Sequence, residues 1–232
     1  MSEFNKKKIN NLLVIPARKG SRRIKNKNIK IFYGRPIISY TIQKGKESGL
    51  FSKIIVSTDC KKIAKIAQKF GASIDFIRPA YLSTDTASTI NVMQHALKFL
   101  KKRNEVYKYV CCMYPVAPLV NIKIFKNCYN ILKRSNLNYV FPVSKFQGSN
   151  KTFIKISKNR TVKLKLNNIN NKEKKIFYND TGQYYWGKSN SWLKKKNIFT
   201  SRTKVLIVPK NSFVDVNTIS DWKMLLRLFK KK

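Results

Sequence analysis

With 232 residues, 43% of them hydrophobic, the chain has enough apolar side chains for one full core, and its 50 Lys+Arg against 10 Asp+Glu give a formal charge of +40 at pH 7. No apolar run of about 18 residues is present to span a bilayer, and the polar stretch 1–10 lacks the apolar centre of a secretory signal, so a cytoplasmic protein with no membrane partner is expected. The lysines are scattered among abundant Asn and Ile, with small clusters at 6–8, 194–196 and 230–232, and neither a zinc finger nor an RNA-binding aromatic motif accompanies them; anionic substrates are favoured over a dedicated nucleic-acid role.

Short apolar runs alternate with amphipathic stretches through the first half, the pattern of parallel strands joined by crossover helices. Residues 11–16 read as a buried strand, 36–48 as a helix, 53–58 as a strand and 60–70 as a helix stopped by Gly71. Residues 73–77 read as a third strand. Ile90, Met93, Ala96, Leu97 and Leu100 share one face of a helix over 89–101, with His95 near its edge. A fourth strand over 107–113, a helix over 122–132 and a fifth strand over 138–143 follow. The period then drops to two, as in TVKLKL at 161–166, which predicts a β-hairpin inserted within 145–178, its turn at 157–160. A polar loop over 167–175, with Ile169 as its apolar anchor, leads to strands at 183–186 and 204–208 and a final helix at 220–229. The expected fold is a single α/β domain spanning 1–232, with a mainly parallel central sheet and the inserted hairpin.

The four cysteines make no framework. Cys111 and Cys112 are adjacent in an apolar run whose side chains alternate between faces, and Cys60 and Cys128 stand alone, so free thiols are expected and no zinc ligand set exists.

The first strand runs into PARKGSRRIKNKN at 16–28, a turn rich in cations and amides with one glycine. At the carboxyl end of a parallel strand such a loop can wrap a polyphosphate: Gly20 lets the backbone approach while Arg and Lys neutralise charge. It matches neither the G-x-x-x-x-G-K-S/T nor the G-x-G-x-x-G pattern. A solvated basic loop in a basic protein would carry the same residues, so the loop alone leaves both readings open.

The loop resembles the P-A-R-x-G-S-K/R-x-I/L-x-x-K-N signature of the CMP-sialic acid synthetase family. In the same order, IIVSTD at 54–59 resembles the family's I-V-S-T-D, RPAYLSTDTAS at 78–88 its R-P-x-x-L-x-x-D-x-A-S, and VDVNT at 214–218 its D-I-D-T. Two further blocks, NDTGQYYWG at 179–187 and CCMYPVAP at 111–118, resemble the D-A-G-Q-F-Y-W-G and C-C-x-Y-x-x-A-P of the branch acting on pseudaminic acid; the sialic acid enzymes carry Gln at the position of Tyr114. Core packing is the competing explanation for Tyr184, Tyr185 and Trp186.

The resemblance implies a Rossmann-like nucleotidyltransferase fold, a homodimer whose hairpin reaches the partner's sugar site, and transfer of CMP from CTP to an acidic nine-carbon sugar with release of pyrophosphate. By matched position, Ala17, Arg18, Gly20, Ser21, Arg22, Lys27 and Asn28 would hold the triphosphate, with Arg78 and Ser88 on the nucleotide; Tyr114, Asp180, Gln183 and Tyr185 would meet the sugar. Asp215 would bind Mg2+, and Arg18, Lys27 and Asp215 would serve the chemistry. Residues one apart in an extended segment face the same side, so the family's D-x-D pair can share a metal. Here Asn217 replaces the second Asp and offers the metal a neutral amide oxygen in place of a carboxylate, which shifts weight to Asp215, with water or Asp221 as further ligands, although Asp221 reads better as a helix-start residue. Sialic or legionaminic acid as substrate, and an inactive nucleic-acid-binding relative, are the alternatives. Substituting Arg18 is expected to weaken CTP use with any sugar, whereas substituting Tyr114 or Gln183 changes mainly sugar choice; steady-state kinetics showing equal loss of CTP binding in both sets would sink that division.

Overall fold

The computed structural model describes residues 10–21, 23–145, 152–167, 177–194 and 197–231. Arg22, the polar loop around Ile169 and the lysines at 6–8 lie outside the described residues. In chain order the elements are β1 (Asn11–Pro16), β2 (Ile31–Phe32), β3 (Arg35–Pro36), α1 (Ile37–Ser48), β4 (Lys53–Ser57), α2 (Lys61–Lys69), α3 (Thr89–Lys102), β5 (Tyr109–Met113), α4 (Ile122–Lys133), β6 (Tyr139–Lys145), β7 (Thr152–Ile156), β8 (Val162–Asn167), β9 (Tyr178–Asp180), β10 (Tyr184–Lys188), α5 (Ser189–Leu193), β11 (Thr203–Ile207) and α6 (Ile219–Lys230).

One sheet carries the order β4-β1-β5-β10-β6-β9-β7-β8, with β11 on β6, and β2 pairs with β3 in a separate ribbon. β4, β1, β5, β6 and β11 run one way, and β10 runs against them between β5 and β6. The central sheet is therefore mainly parallel.

Burial follows the pleat. Leu13 and Ile15 of β1, Cys111 and Met113 of β5, and Tyr184 and Trp186 of β10 enter a core layer shared with α1, α2 and α4. Their neighbours Leu12, Val14, Val110, Cys112 and Tyr185 enter the opposite layer, under α3 and α5. The adjacent cysteines thus separate to opposite faces, and all four cysteines are free thiols. A third cluster joins Ile24, Phe32, Ile37 and Tyr40 to Val216, Trp222 and Leu225, fastening the start of the chain to α6.

The hairpin forms as expected, with β7 and β8 antiparallel around 157–160 and an irregularity at Lys155/Ile156. It is stitched to the main sheet: Ile154 pairs with Tyr178 of β9, Thr161 bridges Lys204, and the Val205 N–H donates to the Arg160 carbonyl at 2.9 Å.

The expected third strand at 73–77 is replaced by two isolated parallel bridges, Ser73 to Ile55 and Thr58 to Ile77. It lies on the outer side of β4, and Asp75 pairs with the Lys53 ammonium at 2.6 Å, so an ion pair holds the middle of the segment in place of a ladder. Four elements were not anticipated: β2 and β3 of the separate ribbon, β9 and α5. β9 pairs with β6. α5, only five residues long, buries Trp192 and aims its indole N–H at the Val110 carbonyl at 3.2 Å.

That indole lies over Gly187 because a side chain there has no room: a Cβ would stand 2.5 Å from Trp192 Nε1 and 2.7 Å from Tyr139 Cδ1. Gly187→Ala is expected to cost about 2 kcal/mol by overpacking, read as a lowered denaturant midpoint with an unchanged m-value.

Candidate active site

Parallel β1, β4 and β5 end on one edge of the sheet, and the segments leaving them enclose a cleft of about 810 Å³. This is where ligands bind in open parallel sheets, and the size suits a substantial ligand.

The loop after β1 forms the cationic wall. The Ala17 N–H donates to the Ser57 carbonyl at 2.9 Å, extending the β1–β4 pairing by one residue. The Lys19 N–H donates to Asp59 Oδ1 at 2.8 Å, so the last residue of the IIVSTD block holds the loop. Buried Asn28 closes it by donating from Nδ2 to the Arg18 carbonyl at 2.9 Å. Arg18, Ser21, Arg23, Lys27 and Asn28 consequently line the cleft. Ala17, buried, and Gly20, with open space around it, are not among the lining residues.

The segment before α6 forms the opposite wall. Val216 points into the core with Trp222, so alternation turns Asp215 and Asn217 toward the cleft. Asn217 Nδ2 donates to Asp215 Oδ2 at 2.8 Å, while its Oδ1 accepts from Arg23 Nη2 at 3.1 Å. Lys27 spans the gap and donates to the Val216 carbonyl at 2.6 Å. Asp221 is a helix-start residue: its carboxylate accepts the Asn217 and Thr218 N–H groups at 2.9 and 2.7 Å and completes a capping box with Thr218. Burial would raise the Asp221 pKa, but those N–H groups hold it below the ordinary carboxylate value.

Asp215 shows the reverse. Its surface is open to the cleft, yet protein surrounds it on most sides, and this desolvation raises its carboxyl above the ordinary value against the pull of Asn217 and Lys27. Burial likewise lowers the Lys27 ammonium, partly offset by Asp215.

The segment between β4 and α3 makes the third wall. Arg78 is only 4% exposed, and its Nε and Nη2 have no hydrogen-bond partner among the described residues. A buried guanidinium with unmet N–H groups at a cleft is prepared to receive acceptor oxygens from a ligand. Arg18 pairs through Nη2 with Asp85, a contact partly open to water and correspondingly weak, so an incoming phosphate can displace it. Ser88 caps α3, its Oγ accepting the Asn91 N–H at 3.2 Å.

The fourth side is aromatic and acidic. Tyr114, just beyond β5, and Tyr185 of β10 meet edge to face at 6.1 Å. Tyr185 donates its hydroxyl proton to Asp180 Oδ2, and Asp180 Oδ1 accepts the Gly182 N–H at 2.9 Å. Gly182 lies so close to Asp215 that a Cβ would stand 3.4 Å from its carboxyl carbon. Burial raises the phenols of Tyr114 and Tyr185, leaving both neutral at ordinary pH. Tyr184 and Trp186 stack in the core with Phe125 and Phe51, as packing alone would have them. Gln183 is buried, its carbonyl accepting the Tyr114 N–H at 2.9 Å, and it is not among the lining residues.

Arg23, Asp85 and Thr89 are among the lining residues that were not singled out from the sequence. Asp85 had a usable signal: an acid inside a recognisable block of a chain with only 10 acids.

A family model described as cytidylyltransferase matches residues 12–227. The chain is 35% identical to the pseudaminic acid cytidylyltransferase of Campylobacter jejuni over 223 residues, 95% of this chain and 96% of that protein. It is 27% identical to the CMP-N,N'-diacetyllegionaminic acid synthase of Legionella pneumophila over 229 residues, 94% of this chain and 95% of that protein. Its fold is similar to that of a solved CMP:2-keto-3-deoxy-manno-octonic acid synthetase in complex with CTP, with a TM-score of 0.75 at 13% identity, covering 96% of this chain and 99% of the other. A match across nearly the whole chain, on a fold whose cleft opens at the ends of its parallel strands, makes this chain a member of the cytidylyltransferase family.

Proposed function

We propose that this chain is an enzyme that transfers CMP from CTP to the anomeric hydroxyl of a nonulosonic acid, pseudaminic acid foremost, and releases pyrophosphate. The observation that carries this is the pair of opposed walls: Arg18, Arg23 and Lys27 face Asp215 across the cleft, in a chain 35% identical to a pseudaminic acid cytidylyltransferase over 95% of its length.

The sugar hydroxyl attacks the α-phosphorus in line. The new P–O bond forms as the bond to the β-phosphate oxygen breaks, the hydroxyl proton passes to water in the cleft, and pyrophosphate departs toward the 16–28 loop. Arg18 exchanges Asp85 for phosphate oxygens, and Arg23 and Lys27 neutralise charge that grows on the leaving group. Arg78 offers the N–H donors of its two unpartnered nitrogens, Nε and Nη2, to the nucleotide. No covalent intermediate on the protein is needed, because holding both reactants in line supplies much of the acceleration.

Magnesium belongs to this reading. Asp215 would hold it, since a hard cation takes oxygen ligands and is commonly bound by one or two carboxylates together with substrate phosphates. Among the described residues no cluster of three His, Cys, Asp or Glu side chains gathers, so an ion there would depend on the phosphates for much of its coordination. Asn217, with its oxygen turned to Arg23, orients Asp215. When bound, the ion supplies charge neutralisation at the phosphate oxygens.

The same reading makes the enzyme a cytoplasmic homodimer, in keeping with its polar substrates; among the described residues no helix is long and apolar enough to cross a membrane.

Pyrophosphate release measured with CTP, magnesium and one acid at a time tests the assignment. Turnover with pseudaminic acid and little with N-acetylneuraminic acid is the expected result; turnover only with legionaminic or sialic acid moves the substrate, and silence with all of them removes the activity. Asp215→Asn is expected to lower turnover about a hundredfold or more. The same change should not weaken the fold. A carboxyl whose folded pKa is raised binds its proton more tightly when folded, so stability falls as pH rises from the ordinary carboxylate value through the raised one. Removing that charge is expected to raise the unfolding free energy at pH 7, measured by denaturant titration, by less than about 1 kcal/mol, because cleft water screens the group, with no gain below pH about 3.

A further inference from the structure

Thr89 opens α3 and lines the cleft, and its Oγ1 lies 2.7 Å from the hydroxyl of Tyr114. None of the motif blocks draws attention to it. From the pairing of the cleft hydroxyls we infer that Thr89 is a positioning residue that turns the Tyr114 O–H into the cleft as a hydrogen-bond donor to an acceptor oxygen of the acidic sugar, its carboxylate or an amide carbonyl. This rests on the sugar-transfer reading above and names how that site recognises its substrate.

The argument is a proton inventory. Each hydroxyl has one proton to donate and lone pairs to accept. Asp180 accepts hydrogen bonds at both oxygens, from the Gly182 N–H at Oδ1 and from the Tyr185 hydroxyl at Oδ2, so the Tyr185 proton is committed to Asp180. Tyr185 therefore has no proton left for a substrate, although it faces the cleft. Burial keeps Tyr114 neutral, so its proton is present. Thr89 is the first residue of its helix, and the residue four positions earlier, Asp85, lies outside that helix. A threonine deeper in a helix can give its proton to the carbonyl one turn back, a contact the helix does not offer here. Its proton goes instead to Tyr114 Oη, and the Tyr114 proton is left pointing away from Thr89. Of the two cleft tyrosines, Tyr114 is thus the one equipped to donate, and Thr89 sets the direction. A donor suits an anionic or carbonyl-bearing sugar, and a donor to a charged acceptor is the stronger kind of hydrogen bond.

The test is a double-mutant cycle on the full chain, followed as pyrophosphate release with CTP and the sugar that the wild type uses. Thr89→Val keeps the shape and removes the hydroxyl; the expected result is a KM for the sugar raised about tenfold with the KM for CTP unchanged. Thr89→Ser should restore the wild-type value, which a loss caused by helix damage would not do. In a Tyr114→Phe background, Thr89→Val should add nothing, because its effect runs through the tyrosine. Independent, multiplying effects of the two substitutions would overturn the inference, as would an equal rise in the KM for CTP or a failure of serine to restore. Wild-type silence with every acidic sugar would sink the function itself, an outcome separate from turnover in which the cycle proves additive.

Discussion

Six cations between positions 18 and 27 repel one another, and nothing in their own chemistry would hold them in one place. Backbone tethers do it. The Ala17 N–H to the Ser57 carbonyl, the Lys19 N–H to Asp59 and the Asn28 amide to the Arg18 carbonyl fix the loop to the ends of β1 and β4 through neutral donors or a single carboxylate. The loop's position therefore does not depend on neutralising its side chains, which leaves them for a ligand. The rest of the site is arranged around that wall.

Three of those cations are nevertheless occupied while the cleft waits. Arg18 pairs with Asp85, Arg23 with the amide oxygen of Asn217, and Lys27 with the Val216 carbonyl. Each contact is partly exposed or made to a neutral group, so each is weak enough to yield to a phosphate. The same contacts draw the beginning and the end of the chain together, supported by the apolar cluster of Phe32, Tyr40, Val216 and Trp222 beneath. Asp215, whose carboxyl is raised by desolvation, is the least comfortable member of the arrangement.

On the other side of the cleft, polarity is handled by direction rather than by charge. Tyr185 and Asp180 satisfy each other, and Thr89 and Tyr114 share one bond between two hydroxyls. Because β10 alternates, Tyr185 reaches this network while Tyr184 and Trp186 serve the core behind it. One strand thus lines both the core and the cleft, and its aromatic residues divide by parity.

Periodicity alone determined the layers: apolar runs buried on both faces at β1 and β5, amphipathic helices between strands, and a switch to period two at the hairpin, because each depends only on residues near in sequence. The blocks around Arg18, Asp59, Arg78, Tyr114, Asp180 and Asp215 were likewise legible, since each sits on a local turn or strand end. The sequence could not say that 73–77 would be held by bridges and an ion pair to Lys53, that Ser88 would cap α3, or that Gln183 would be buried away from the cleft. Nor could it pair Arg18 with Asp85, Lys27 with Val216 or Thr89 with Tyr114. Those contacts join positions 25 to 189 residues apart or compete with a local hydrogen bond, so only the folded register of the sheet, which brings distant strand ends to one edge, decides them.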